Sequence, residues 1–167
     1  MKTLRNIFLA LLMIGMIQSC MVSEKPNMEF FSNSTHDFKG VRFTSINVPM
    51  VLAKSYIKKA LREEGESDET INLIKKASKI KVLTVENSSQ EMLDNYAQYL
   101  NDNHYEDWAT IKHDGDHINI RVKQNGDTVK NMLITVGSNK NEMVFVDVKG
   151  NFTTQDISKM ISSVSTK

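Results

Sequence analysis

Ile118-Asn119-Ile120-Arg121-Val122-Lys123 alternates apolar and polar side chains at every step. Period two places Ile118, Ile120 and Val122 on one side of an extended strand and Asn119, Arg121 and Lys123 on the other. The same rhythm occupies Trp108–His113 before it and Val129–Val136 and Met143–Val148 after it. Between these runs stand Asp114-Gly115-Asp116, Asn125-Gly126-Asp127 and Gly137–Asn141, all turn-forming. Links this short join antiparallel neighbours, so the four strands form a meander. Alternation then names its inward face: Ile118, Ile120 and Val122, then Met132, Ile134 and Val136, then Val144, Val146 and Val148. The opposite face carries Asn119, Arg121, Lys123, Thr135 and Asp147, interrupted by Leu133, Met143 and Phe145. Those three apolar residues are where a partner, or a packed tether, is expected. On this register Ile120→Ala or Val146→Ala costs about 2–4 kcal/mol, and Arg121→Ala under about 0.5 kcal/mol.

Upstream, Val41–Val48 reads as a strand. Pro49 suits a first helical turn, and Met50, Ala53, Ile57, Ala60 and Leu61 recur at helical spacing up to Gly65. Ser67-Asp68-Glu69 opens a second helix with the stripe Ile71, Ile74 and Ala77. Ile80–Val85 is the next strand. Ser88 with Glu91 fits a capping box, ahead of a helix carrying Met92, Leu93, Tyr96, Ala97 and Leu100. A last helix follows Gly150, capped near Thr153 or Thr154, with Ile157, Met160, Ile161 and Val164 inward. Met28, Phe30 and Phe31 are too apolar for free linker and are expected to pack on the domain as a short helix. The order β-α-α-β-α-β-β-β-β-α argues for an α+β fold: a single mixed or antiparallel sheet with a C-terminal four-strand meander and helices packed mainly on one face.

The first twenty residues read as an export signal. Lys2 and Arg5 precede an apolar run of 11 residues, Ile7–Ile17, the size of a signal-peptide core. A spanning helix needs roughly 20 apolar residues. Ile17-Gln18-Ser19-Cys20 resembles the bacterial lipobox, with an aliphatic residue at −3, a small one at −1 and then cysteine. The resemblance implies cleavage between Ser19 and Cys20 and lipid on the Cys20 sulfur. Two or three acyl chains hold a protein stably, at ~0.8 kcal/mol per buried CH₂. Residues 20–27 then form the lipidated Cys and a polar tether, and 28–167 a single α+β domain.

Export of residues 20–167 leaves 19 basic against 20 acidic residues. A near-neutral exported domain has no global electrostatic reason to bind nucleic acid. Cys20 is the chain's one cysteine, so with lipid on it disulfides, thiol catalysis and cysteine metal sites fall together. Gly40, Gly65, Gly115, Gly126, Gly137 and Gly150 all fall at expected element ends, which excludes a P-loop and a dinucleotide fingerprint. No Gly-x-Ser-x-Gly elbow or His-Glu-x-x-His helix is present. No cofactor and no catalytic residue is expected.

One constellation holds potential ligands: His113-Asp114-Gly115-Asp116-His117. If the hairpin closes through Asp114–Asp116, the histidines face each other across the strands as weak metal candidates. A polar hairpin tip is the plainer reading, because a third ligand is missing. Nothing marks His36 or His104 as catalytic. Lys54, Lys58, Lys59 and Arg62, with Lys75, Lys76, Lys79 and Lys81, read as solvated rows, since Glu63, Glu64, Glu66, Asp68 and Glu69 offset their field. Tyr96, Tyr99, Trp108 and Phe145 sit at core-compatible spacing.

With these motifs placed, the chain from about Met28 to Val164 resembles a family of uncharacterised Bacteroidetes-type lipoproteins, the domain of unknown function 4252. Four stretches carry the resemblance: Phe38–Val48 into the Pro49 helix, Lys79–Asn87, Tyr105-Glu106-Asp107-Trp108 into the Ile118–Val136 hairpin, and Val144–Gly150 into the last helix. The resemblance implies an exported α+β domain and supplies no activity. Members look often to be encoded beside extracytoplasmic-function sigma factors, a link to envelope stress or signalling by context. Asp127-Thr128-Val129 also resembles the Asp-Thr-aliphatic acceptor of O-glycosylation in Bacteroidetes, with Thr128 as acceptor.

The expected function is a non-enzymatic binding or accessory lipoprotein of the cell envelope. Its partners are the membrane, through lipid, and an envelope protein held on an open sheet face or edge. It is anchored to the inner or outer membrane with its domain outside the cytoplasm. The alternatives are a metal-dependent hydrolase near His113 and His117, marked by a deep pocket with convergent polar groups, and a small apolar-ligand carrier, marked by a large dry cavity.

Overall fold

Strand β3 decides the architecture. Its run Ile80-Lys81-Val82-Leu83-Thr84-Val85 is apolar on both sides around Leu83, the pattern of a strand covered on both faces. The computed structural model describes residues 22–33, 38–63, 68–113, 116–137 and 142–165. In chain order its elements are β1 (Val22–Ser23), α1 (Glu29–Asn33), β2 (Arg42–Val48), α2 (Met50–Glu63), α3 (Asp68–Lys76) and β3 (Ala77–Glu86). They continue with α4 (Gln90–Asp102), β4 (Glu106–His113), β5 (Asp116–Asn125), β6 (Thr128–Gly137), β7 (Glu142–Thr153) and α5 (Thr154–Ser165).

The seven strands form one open antiparallel sheet in the order β1-β2-β3-β7-β6-β5-β4. The expected meander is β4 to β7, and its last strand docks on β3 with Leu83 opposite Phe145. In β4 Asp107 pairs with Arg121 and Ala109 with Ile120, so Trp108 is the extra residue of a bulge.

Two hydrophobic cores lie on the two sides of this sheet. The nine residues assigned to one face by alternation share it: Ile120, Val122, Met132 and Val148 are buried, and the other five half-buried. There they meet Leu73 of α3, Ile157 of α5 and Met50 of α2. The second face is also covered. Leu83, Val85, Leu133 and Phe145 pack against Met92, Tyr96 and Leu100 of α4 and against Met28, Phe30 and Phe31 around α1. Three helices thus occupy the main face, and α1 and α4 close the other. Leu133 and Phe145 are occupied by the chain's own N-terminal segment, not left open for a partner.

Residues 22–27, read as a tether, lie along the sheet. Val22 and Ser23 pair with Ile46 and Ser45. The Ser45 hydroxyl, fully buried, contacts the Ser23 and Lys25 carbonyls at 3.1 and 2.7 Å. Asn27 Nδ2 donates to the Ile46 carbonyl at 3.1 Å. Backbone groups satisfied in this way leave little reason for the segment to detach.

Caps and glycines refine three expectations. Ser89, rather than Ser88, caps α4, its side chain accepting from the Met92 N–H at 3.1 Å. Thr153 caps α5, and Asp156 reaches back to the Thr153 N–H at 2.7 Å. Gly150 is not a terminus: β7 runs through it to Thr153. A Cβ there would stand 2.7 Å from the Lys76 carbonyl and 2.4 Å from the Phe152 ring, so close approach of α3 requires glycine.

Candidate functional site: a polar pocket under the first helix

The second sheet face is apolar at one end and polar at the other, and the alternation of three neighbouring strands explains the change. On β7, Met143 and Phe145 are followed by Asp147 and Lys149; on β3, Val85 and Leu83 are followed by Lys81; on β6, Leu133 is followed toward the strand start by Asn131. In register, Asp147 lies between Lys81 and Leu133, and Lys149 opposite Asn131. Helix α1 with Asn27 and Met28 bridges this polar end, while Tyr96 and Tyr99 of α4 and Tyr105 after it form the other wall. The pocket they line is open to solvent on one side and has a volume of about 220 Å³.

Four buried polar atoms of this wall lack a well-formed hydrogen bond, Asp147 Oδ1, Asn131 Oδ1, Asn27 Oδ1 and the Tyr96 hydroxyl, although Thr135 lies near enough to the Tyr96 phenol, and Asn131 to the Asp147 carboxyl, to favour their ionised forms. Asp147 is 7% exposed and Tyr96 6%. Native interiors leave few such atoms, each costing about 1–3 kcal/mol. Their concentration on one pocket is the least expected feature of the molecule. The surrounding polar groups are engaged. Asn131 Nδ2 donates to the Tyr105 hydroxyl at 2.9 Å, the Lys81 ammonium donates to the Asn27 carbonyl, and Lys123 Nζ sits 5.6 Å from the Tyr105 ring centre.

The charges inside are tuned against their ordinary values. Burial raises the Asp147 carboxyl, opposed by the nearby Lys149 and Lys81 charges. Burial, reinforced by Lys79, lowers Lys81, opposed by Asp147. Burial pushes the Tyr96 and Tyr105 phenols far above their usual range, and Tyr99 upward as well. Desolvation drives each of these shifts, and such groups gathered in a cleft mark a functional-site candidate.

The residues singled out from sequence lie elsewhere. Ser19, Cys20 and His36 are outside the described residues. In the β4–β5 register His113 lies opposite Asp116 and the exposed His117 opposite Lys112. The two histidines are therefore not cross-strand partners, because the register is one residue off the facing arrangement. Among the described residues no group of three or more His, Cys, Asp or Glu comes together around a metal position. Thr128 begins β6, half-buried, paired with Asn125 and Thr153.

Sequence reading missed Asn27, Asn131, Tyr105 and Lys81 as site residues. The available signal was Asp147, a carboxylate two positions from Phe145 and hence on the same face. It becomes informative once that face is covered, because buried carboxylates are rare without a role. Arg121, expected to tolerate truncation, is 15% exposed at its side chain and forms a two-pronged pair with Asp107 at 2.6 and 2.8 Å. It also donates to Asn101 Oδ1 at 2.9 Å, fixing the end of α4 beside the pocket.

No curated protein and no solved structure matches the chain. A family model described as Domain of unknown function (DUF4252) matches residues 37–160. That match spans β2 to the middle of α5, six of the seven strands and all the described helices but α1, and the chain therefore belongs to the DUF4252 family.

Proposed function

We propose that this protein is a cell-envelope lipoprotein, anchored through lipid on Cys20, whose domain binds a small polar ligand in the pocket between α1, α4 and the sheet. The observation that carries the reading is the group of four unpartnered polar atoms around a space of about 220 Å³. Buried polar groups in native interiors are nearly all satisfied, so a cluster of unsatisfied ones around one space supports a ligand there. Among the described residues no helix is long and apolar enough to cross a membrane, so the anchor rests on the Ile17-Gln18-Ser19-Cys20 signal. A role in envelope stress or signalling would follow from ligand occupancy and remains part of this proposal, as does the Bacteroidetes origin suggested by the resemblance.

Acid–base catalysis at the same pocket is a second reading. It is favoured by Lys81 and Asp147, directly opposed in register with their pKa values moved toward each other. The described lining holds no nucleophile bonded to a base, so binding is preferred.

Two measurements test the proposal. Cys20→Ser should abolish lipid labelling and release the protein from membranes; unchanged labelling and fractionation contradict the anchor. Equilibrium dialysis of the purified protein against a cellular metabolite extract, read by mass spectrometry, should enrich a small molecule. Asn131→Leu should abolish the enrichment. Equal retention by wild type and variant contradicts the pocket, and chemical conversion of the enriched molecule would favour the catalytic reading.

A further inference from the structure

We infer, building on the pocket as a ligand site, that its ligand is an electrically neutral molecule bearing several hydroxyl groups, about the size of one sugar ring.

Three of the four unpartnered atoms are acceptor oxygens: Asn27 Oδ1, Asn131 Oδ1 and Asp147 Oδ1. They call for donors on the ligand. Asp147 stands on β7 and Asn131 on the neighbouring β6, while Asn27 lies against β2, on the far side of β3. Their backbones stand one to three strand spacings of ~4.8 Å apart, so one compact ammonium is poorly placed to meet all three. A molecule with hydroxyls around its rim does so, and one such hydroxyl also accepts from the Tyr96 O–H.

Charge selects against ions. The lining carries two basic groups, Lys81 and Lys149, and two acidic ones, Glu29 and Asp147. With signs balanced, a net charge on the ligand gains nothing overall from the lining and still loses its hydration. The half-buried rings of Tyr99 and Tyr105 supply flat apolar surface for the C–H faces of a ring, with hydroxyl tips at their edges. A space of about 220 Å³, open on one side, has room for a ring-sized molecule.

The test is a methyl-resonance titration of the mature protein in detergent, following Leu133 and Met28 in the pocket and Ile120 on the other sheet face. The probes are methyl glucoside, methyl galactoside and methyl N-acetylglucosaminide, with glucuronate, glucosamine and cyclohexanol as comparators. At least one neutral glycoside should shift Leu133 saturably, at least tenfold more tightly than any comparator, and leave Ile120 unmoved. Asn131→Leu and, independently, Tyr105→Phe should weaken it at least tenfold, with the Ile120 resonance reporting an intact fold. Tighter binding of glucosamine, glucuronate or cyclohexanol overturns the ligand class while the pocket itself stands. No saturable shift with any glycoside overturns the class too, and the metabolite dialysis then judges the pocket separately. Binding that survives both substitutions places the ligand elsewhere and overturns the inference.

Discussion

Phe31→Ala isolates the role of the N-terminal segment in closing the second sheet face. Phe31 is 4% exposed. Its ring lies 5.0 Å from Phe145 and 5.7 Å from both Tyr96 and Phe43. Burying an aromatic side chain removes about 150–250 Å² from water, which at ~25 cal/mol per Å² is about 4–6 kcal/mol. Residual burial in the unfolded chain trims that by roughly 10–40%. The expected loss is therefore about 3–5 kcal/mol, in line with other buried Phe→Ala changes. With a urea slope near 2 kcal/mol/M for a domain of this size, the midpoint should fall by about 1.5–2.5 M. Val51→Ala, at a position 89% exposed, should stay within about 0.5 kcal/mol. Urea melts followed by circular dichroism decide it. A Phe31→Ala loss under about 1 kcal/mol would mean that α1 is loosely attached and the pocket has no fixed wall.

Asp147→Asn should stabilise the protein at neutral pH. Because the folded carboxyl titrates above its ordinary 3.8, ionisation costs the native state more than the unfolded one, and stability falls as pH rises from about 3.8 through the folded value. The advantage of Asn should vanish below that window; an advantage independent of pH contradicts burial of the charge. Arg121→Ala should cost about 1 kcal/mol, revised upward because of its bonds to Asp107 and Asn101, while Ile120→Ala still costs about 2–4 kcal/mol; equal losses would mean the register is wrong. Gly150→Ala should cost more than about 1 kcal/mol by driving a methyl against the Lys76 carbonyl, and a neutral effect in the melt would show that α3 is free to yield. If Thr128 is glycosylated, the intact mass of native protein exceeds chain plus lipid, and Thr128→Ala removes the excess; lipid alone removes the assignment.

The sheet was legible because period two is a local signal. Ile118–Lys123 and its neighbours reported their own faces, and the turns forced the meander. The second covered face was only half legible. Leu133, Met143 and Phe145 showed that it held apolar residues, but what lay on them depended on α1 and α4, which are distant in sequence. The pocket was illegible for the same reason. Lys81 and Asp147 read as solvent-facing, and Asn131 carries no signal of its own, because the helix that covers them lies 48 or more residues away. Gly150 misled because glycine marks both chain reversals and close approach, and one sequence does not separate the two.

A high-resolution crystal structure of the protein purified from its own membranes tests the central claim most directly. The account predicts density for a small organic molecule in the pocket, with hydroxyl donors within hydrogen-bond distance of Asp147 Oδ1 and Asn131 Oδ1. Ordered waters alone satisfying all four atoms, at full occupancy, would contradict it.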